Sequence, residues 1–421
     1  MNNRKVIVIG AGIVGCSTAF ALAENGWEVT LLDSHGGPGQ GTSQSNGAQL
    51  SYSYVEPLAT PGILAKLPSL LTAGDSPLTF RLRLDPHQWS WLARFVLACN
   101  AARVRETTRT LLALTRTSRQ TLDRWLLANG WDCEFAMPGK LVLYGTPEDL
   151  AGARRQVEFQ RGLGCRQELL APAACAEIEP ALAAYAPSVA GGVWTADECV
   201  IDPLQLTQQM AASLAAGGHA IHWNTPARSL IVRAGRVCGV STPAGEMLAD
   251  AVVVCSGIAA NKLLSAVSQR LPIYPIKGYS VTLGVAPGTA APHVSITDSR
   301  RKLVFARLGD RLRVAGRAEV VGYDLGIPQD RIDELLRGTR EVFPDAGWSP
   351  DIQPWAGLRP CTPTGVPFYG PGRQPGLYLN TGHGALGLTL AAGSAQLLAE
   401  RMTREAQPGA VHPALQPTVA A

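Results

Sequence analysis

No stretch of this 421-residue sequence approaches the roughly 20 consecutive apolar residues that a helix needs to cross a bilayer. A membrane-spanning segment is therefore not expected. Charge is sparse as well: 17% of residues are Asp, Glu, Lys or Arg, the net charge is +4, and no Lys/Arg-rich run is present. A nucleic-acid partner is excluded on that ground, since neither a basic stripe nor a recognised binding motif occurs. The nine cysteines are scattered without CxxC spacing, which indicates neither a disulfide framework nor a zinc site and fits a reducing, cytoplasmic setting. No low-complexity tract or charge block divides the chain, and its length leads us to expect two interleaved domains. Residues 1–23 resemble a secretory signal in outline, but a glycine fingerprint runs through the apolar part, so this segment is expected to be retained.

That fingerprint lies in "VIVIGAGIVGCSTAFALAENGWEVTLLD", residues 6–33. A β-branched run at 6–9 enters Gly10, Gly12 and Gly15 in GxGxxG order. This is the pattern of a buried parallel strand, a tight turn and a helix whose positive end receives a pyrophosphate. Residues 13–23 suit a buried helix, and 28–32 a second strand ending in Asp33. A carboxylate there hydrogen-bonds a ribose diol and repels a 2′-phosphate, which disfavours NADP and leaves NAD and FAD.

Further along, 236–241 and 247–255 read as strands, the second returning the chain to the nucleotide sheet. Residues 277–283 and 302–316 alternate in polarity and read as antiparallel strands, the latter turning at Gly309-Asp310. Two sheets of different type follow. Near the end, "GLYLNTGHGALGLTLAAG" repeats the opening device: a strand at 377–380, a turn with Gly382, His383, Gly384, Leu386 and Gly387, then a helix from about Leu388. NAD has no need of this second helix start, whereas a flavin that becomes anionic on reduction gains from its dipole. The pattern therefore favours FAD.

The fold class expected is α/β, a discontinuous Rossmann-like FAD-binding domain (1–85, 195–268 and 350–421) with an antiparallel-sheet α+β substrate domain (86–194 and 269–349). Residues 103–127 read as a long helix with one buried face. The segment "QWSWLARFVLAC", 88–99, reads as a helix rich in Trp89, Trp91, Leu92, Phe95 and Val96, suited either to a membrane interface or to the protein's own core. The apolar run at 58–71 is too short to span and is broken by Pro and Gly.

With "TSQSNGAQLSYSYVEPLATPG" at 42–62, "PIKGYSVTL" at 275–283, "WAGLRPCTPTGVPFYG" at 355–370 and "NTGHGALGLTLAAG" at 380–393, the chain resembles the D-amino-acid oxidase and glycine oxidase family of flavoproteins, especially its dehydrogenase branch. The resemblance implies that Thr42 and Ser43 reach the pyrophosphate and that Asn46, Gly47, Ala48 and Gln49 pass beside the flavin. It implies oxidation of D-amino acids to imino acids, which hydrolyse to 2-oxo acids and ammonia. It also implies electron delivery to a quinone or the respiratory chain, and the Trp-rich segment around residue 90 is a candidate contact with the inner face of the cytoplasmic membrane. An oxidase, a D-proline or hydroxy-D-proline dehydrogenase, and an FAD-binding assembly subunit are the alternatives. Orienting the substrate Cα–H toward the flavin is the main catalytic task. Arg359 matches the family's carboxylate-binding arginine, a planar fork that fixes rotation. Tyr52, Tyr54 and Tyr279 are candidates to close the pocket or bond the carboxylate, and His383 is a candidate catalytic imidazole. Leu303 or Val304 stands where related enzymes place a substrate-binding tyrosine. The cysteine that tethers flavin in related sarcosine oxidases aligns with Arg359, not with Cys361, so non-covalent FAD is expected.

Overall fold

The solid apolar run Lys5–Ile9 forms the centre of a six-stranded sheet in the computed structural model, which describes residues 4–55, 57–63 and 78–407. In spatial order its strands are Phe368–Pro371, Leu377–Thr381, Ala251–Val254, Lys5–Ile9, Glu28–Leu32 and Ala220–His222, all parallel except for the antiparallel Phe368–Pro371 edge. Alternation along the central strand sends Val6 and Val8 to one face and Ile7 and Ile9 to the other. The first pair packs beneath helices Ile13–Glu24, Pro203–Ala216 and Gly387–Glu405, with Trp125 of helix Ala101–Asn129. The second pair faces a small three-stranded sheet, 229–248, and helix Ala260–Leu264. Burial on both faces is why these strands carry no polar alternation.

Proline opens several helices, as befits a residue without an N–H to satisfy. Pro86, Pro147 and Pro203 each follow a residue, Asp85, Thr146 or Asp202, whose side chain caps the first turn. Gly130 ends the 29-residue helix Ala101–Asn129 in the left-handed conformation.

The larger sheet is mostly antiparallel. Its order is Trp348–Cys361, Tyr274–Val285, Arg311–Val320, Leu303–Leu308, Ser295–Asp298, Lys140–Tyr144, Gly191–Thr195 and Glu168–Leu170, with Leu78–Phe80 joining Arg311–Val320. Tyr279, Val281, Phe305 and Val314 form one face, a core shared with helix Gln329–Val342. Gly278, Ser280, Ala315 and Arg359 occupy the opposite positions of the pleat.

The structure adjusts several expectations. Residues 247–255 form two strands, Gly245–Leu248 and Ala251–Val254, because Ala249 and Asp250 turn the chain between different sheets. Strand Trp348–Cys361 belongs to the larger sheet, so that sheet extends past the boundary expected at 350. Helix Ala101–Asn129 shares the core of the nucleotide-type sheet rather than that of the larger one. In helix Pro86–Ala98, Trp91 and Phe95 are core residues, with Trp91 Nε1 donating to the Cys361 carbonyl, whereas Trp89, Val96 and Leu97 are exposed. Part of the 58–71 run lies outside the described residues. No described helix is long and apolar enough to cross a membrane.

Candidate active site

The two sheets enclose a cavity of about 2250 Å³. One end is formed by the glycine turn. Gly10 takes φ +102°, a conformation that side chains disfavour. A Cβ on Gly15 would come within 1.6 Å of the Gly10 carbonyl oxygen, so the third glycine permits helix–strand contact while the first two line the cavity. Asp33 ends the second strand as expected. Its carboxylate accepts the Ala11 N–H at 2.6 Å and the His35 N–H at 2.8 Å. Ser43 Oγ accepts the Ile13 N–H at 2.9 Å, and Thr42 Oγ1 donates to the Leu358 carbonyl. Both residues line the cavity at the helix start.

At the other end, Gly384–Leu386 forms a 3₁₀ turn that leads into helix Gly387–Glu405. Neither this helix nor Ile13–Glu24 carries a capping side chain at its own N-cap position. One cavity thus receives two helix N-termini, a fit for a long ligand with phosphates at one end and negative charge developing at the other. Gly384, Leu386 and Gly387 line it, but Gly382 does not. A Cβ there would come within 2.9 Å of Thr362 Cγ2, so this glycine serves packing.

Between the ends, residues 45–51 lie across the larger sheet. Ser280 Oγ donates to the Ser45 carbonyl at 2.6 Å, Arg313 Nη1 to the Asn46 carbonyl at 2.9 Å, and Gln49 Nε2 to the carbonyls of Ile296 and Phe305. A Cβ on Gly47 would lie 3.1 Å from Val304 Cγ2. Ala48 adopts φ +56°, held by the Asn46 side chain through its N–H. A left-handed alanine stores strain, and such positions cluster where a ligand dictates the backbone.

Arg359 extends over Gly278 from strand Trp348–Cys361 and lines the cavity. Nη1 donates to the Arg317 carbonyl at 3.1 Å. Among the described residues no carboxylate lies within ion-pair distance, and burial pulls its pKa below the usual arginine value. A guanidinium held deep in the protein without a counter-charge is a ready anion site.

Not every candidate faces the cavity with its polar atoms. Tyr279 lines the cavity, but its hydroxyl donates to Glu319 Oε2 at 2.7 Å and its ring belongs to the core beneath the sheet. Tyr52 is likewise a core residue. Tyr54 does line the cavity. His383 Nε2 lies 2.9 Å from Ser394 Oγ. Ser394 Oγ also lies 3.2 Å from the Ala391 carbonyl oxygen. Burial lowers the His383 pKa to about 3, so the ring is neutral at neutral pH, and the residue lines the cavity.

Sequence reasoning missed Lys140, Glu198 and Arg313. Lys140 is 3% exposed, and its Nζ donates to Gln49 Oε1 at 2.9 Å and Ser51 Oγ at 2.7 Å. The only signal was a lysine heading the apolar run "KLVLY".

These features define a flavin-dependent oxidoreductase. A family model described as FAD dependent oxidoreductase (DAO) matches residues 5–401, and the chain belongs to that family. It is 46% identical to D-amino acid dehydrogenase 2 of Ralstonia nicotianae over 96% of this chain and 97% of that one. It is 43% identical to D-amino acid dehydrogenase 2 of Pseudomonas aeruginosa, covering 95% of each. The fold matches the crystal structure of glycine oxidase from Geobacillus kaustophilus with TM-score 0.75 at 21% identity, covering 97% of each chain.

Proposed function

We propose that this enzyme oxidises D-amino acids at non-covalent FAD and passes the electrons to a quinone. The observation that carries the reading is the enclosed Arg359 guanidinium without a carboxylate partner, on a cavity flanked by two helix starts. Arg359 binds the α-carboxylate through two N–H groups and fixes its rotation. Gly278 leaves room for the guanidinium, and the Arg317 carbonyl holds its orientation. Tyr54 closes one wall. When bound, FAD supplies the hydride acceptor. The α-hydrogen leaves with the bond electrons from a substrate whose amine is neutral, giving an imino acid; water then releases the 2-oxo acid and ammonia. Gly10, Gly12, Asp33, Thr42, Ser43 and residues 46–49 hold the nucleotide and flavin. Burial raises the Cys361 thiol to about 12, so it lacks the thiolate character that a covalent tether requires.

The quinone reading draws support from the outer surface. Leu82, Leu84, Trp89, Val96 and Leu97 are exposed, with Arg81, Arg83 and Arg94 exposed among them. Tyr323 is exposed on a loop whose Gly322 adjoins Arg83. An apolar patch rimmed by arginine suits the anionic inner face of the cytoplasmic membrane.

The decisive experiment mixes purified holoenzyme anaerobically with D- and L-amino acids, follows loss of the oxidised flavin absorbance, and then admits oxygen. Bleaching by D-substrates with slow reoxidation is expected. Fast reoxidation makes it an oxidase, and no bleaching by any amino acid overturns the assignment.

A further inference from the structure

Lys140 and Glu198 grip one short segment from two sides. Lys140 stands at the start of strand Lys140–Tyr144 and binds the side chains of Gln49 and Ser51. Its Nζ lies 4.5 Å from the centre of the Tyr54 ring, so the one proton left by the two hydrogen bonds meets an aromatic face. Glu198 is 1% exposed and accepts the backbone N–H groups of Tyr52, Ser53 and Tyr54 at 2.7, 2.8 and 3.2 Å. Gln49, Ser51, Tyr54 and Lys140 all line the cavity. A buried ammonium is costly, and all three of its donors are already engaged by the segment that it orders.

We propose that Lys140 is a positioning residue, whose ammonium fixes residues 49–54 beside the flavin and places a positive charge there that favours the anionic reduced cofactor. The proposal rests on the FAD reading above, not on the identity of the amino-acid substrate. Lys140 acts through Gln49 and Ser51 as an anchor and through space as a charge. Arg313 anchors Asn46 in a parallel way, so two cations from one sheet hold the 46–51 segment.

The charge also has a characteristic titration. Burial lowers Lys140 to about 8, with Glu198 opposing the shift. The charged and titratable groups facing it are Glu198 and Tyr54; its partners across the paired strands, Thr195 and Ser295, are uncharged. Below about pH 8 the ammonium is present, and above it the charge is lost.

The test is the two-electron reduction potential of bound FAD, measured with a chemical reductant and an indicator dye from pH 6.5 to 9.5, with no amino acid present. Wild type is expected to show a break in its potential–pH slope near pH 8. Lys140→Met is expected to hold about tenfold less reduced flavin at a fixed ambient potential at pH 7, a fall of about 30 mV for a two-electron couple. Lys140→Arg keeps the charge at every pH tested, so it should restore the pH 7 potential and abolish the break. If Lys140→Met fails to retain FAD, Lys140→Arg decides alone. An unchanged potential in Lys140→Met, or a break near pH 8 that persists in Lys140→Arg, overturns the proposal. Because no substrate enters the measurement, its failure is distinguishable from failure of the D-amino-acid reading, which the anaerobic bleaching reports.

Discussion

Arg359 lies across Gly278 so closely that a Cβ on the glycine would stand 2.1 Å from Arg359 Nη2. The two residues belong to paired strands of the larger sheet, and the missing side chain of one makes the berth for the guanidinium of the other. Gly278→Ala should therefore displace the fork without touching the nucleotide turn. KM for a D-amino acid is expected to rise at least tenfold while FAD content stays at the wild-type ratio. Arg359→Lys should lose the bidentate geometry and cost about 1.5–3 kcal/mol in kcat/KM. Steady-state kinetics with flavin quantified per chain checks both, and a wild-type KM in Gly278→Ala refutes the packing argument.

Gly15→Ala tests the opposite end of the cavity. The added methyl meets the Gly10 carbonyl oxygen, which forces the helix away from the strand and spoils the pyrophosphate cradle. The protein should purify largely colourless, with flavin content a small fraction of wild type, as read from the absorbance near 450 nm of released cofactor.

Tyr279→Phe separates packing from binding. The substitution removes the donor to Glu319, but Arg317 and Arg331 still pair with that carboxylate. We expect a stability loss of about 1 kcal/mol in urea unfolding and a KM within threefold of wild type. A large rise in KM would restore Tyr279 to the substrate site.

His383 predicts an acid liability. Its folded pKa, lowered to about 3, lies below the value near 6.5 of an unfolded histidine, so the unfolded state binds the extra proton between these limits. The contribution to stability is complete above pH 6.5 and is lost as pH falls toward 3. At pH 4.5 the loss is about 2–3 kcal/mol relative to pH 7.5. His383→Gln should flatten this part of the pH–stability curve, measured as unfolding midpoints at fixed FAD.

The two tryptophans of helix Pro86–Ala98 should behave in opposite ways. Trp89→Ser together with Leu97→Ser is expected to weaken sedimentation with anionic vesicles several-fold while activity with a soluble dye acceptor persists. Trp91→Ala should instead lower thermal stability by about 3–5 kcal/mol, since it empties a core site and strands the Cys361 carbonyl. Equal vesicle binding by the Trp89/Leu97 variant would remove the membrane contact.

The elements legible in the sequence are those whose signals are local. The strand–turn–helix–strand at 5–33 and the hairpin at Gly309-Asp310 follow from glycines and periodicity within a few residues, and the structure has them in place. Arg359 was singled out through the family resemblance of the "GLRP" segment, not through a local signal. Lys140 and Glu198 escaped because each makes sense only beside the 49–54 segment, which is far from both along the chain. The hydrogen bond from Tyr279 to Glu319 was invisible for the same reason, since Glu319 arrives from another strand. Residues 247–255 look like one strand because burial makes both halves apolar, while the change of sheet depends on pairing partners that are distant in sequence.

Strand Trp348–Cys361 carries Arg359 and, two residues later, bridges through Cys361 to His383, at the second helix start. The Arg359 guanidinium and the second helix start are therefore gauged against each other by a few covalent bonds and one backbone pairing. The walls at 57–63 and around Leu325 and Ile327 lie outside that span, so substitutions there are expected to change the room for a side chain without changing the spacing between the guanidinium and the helix start.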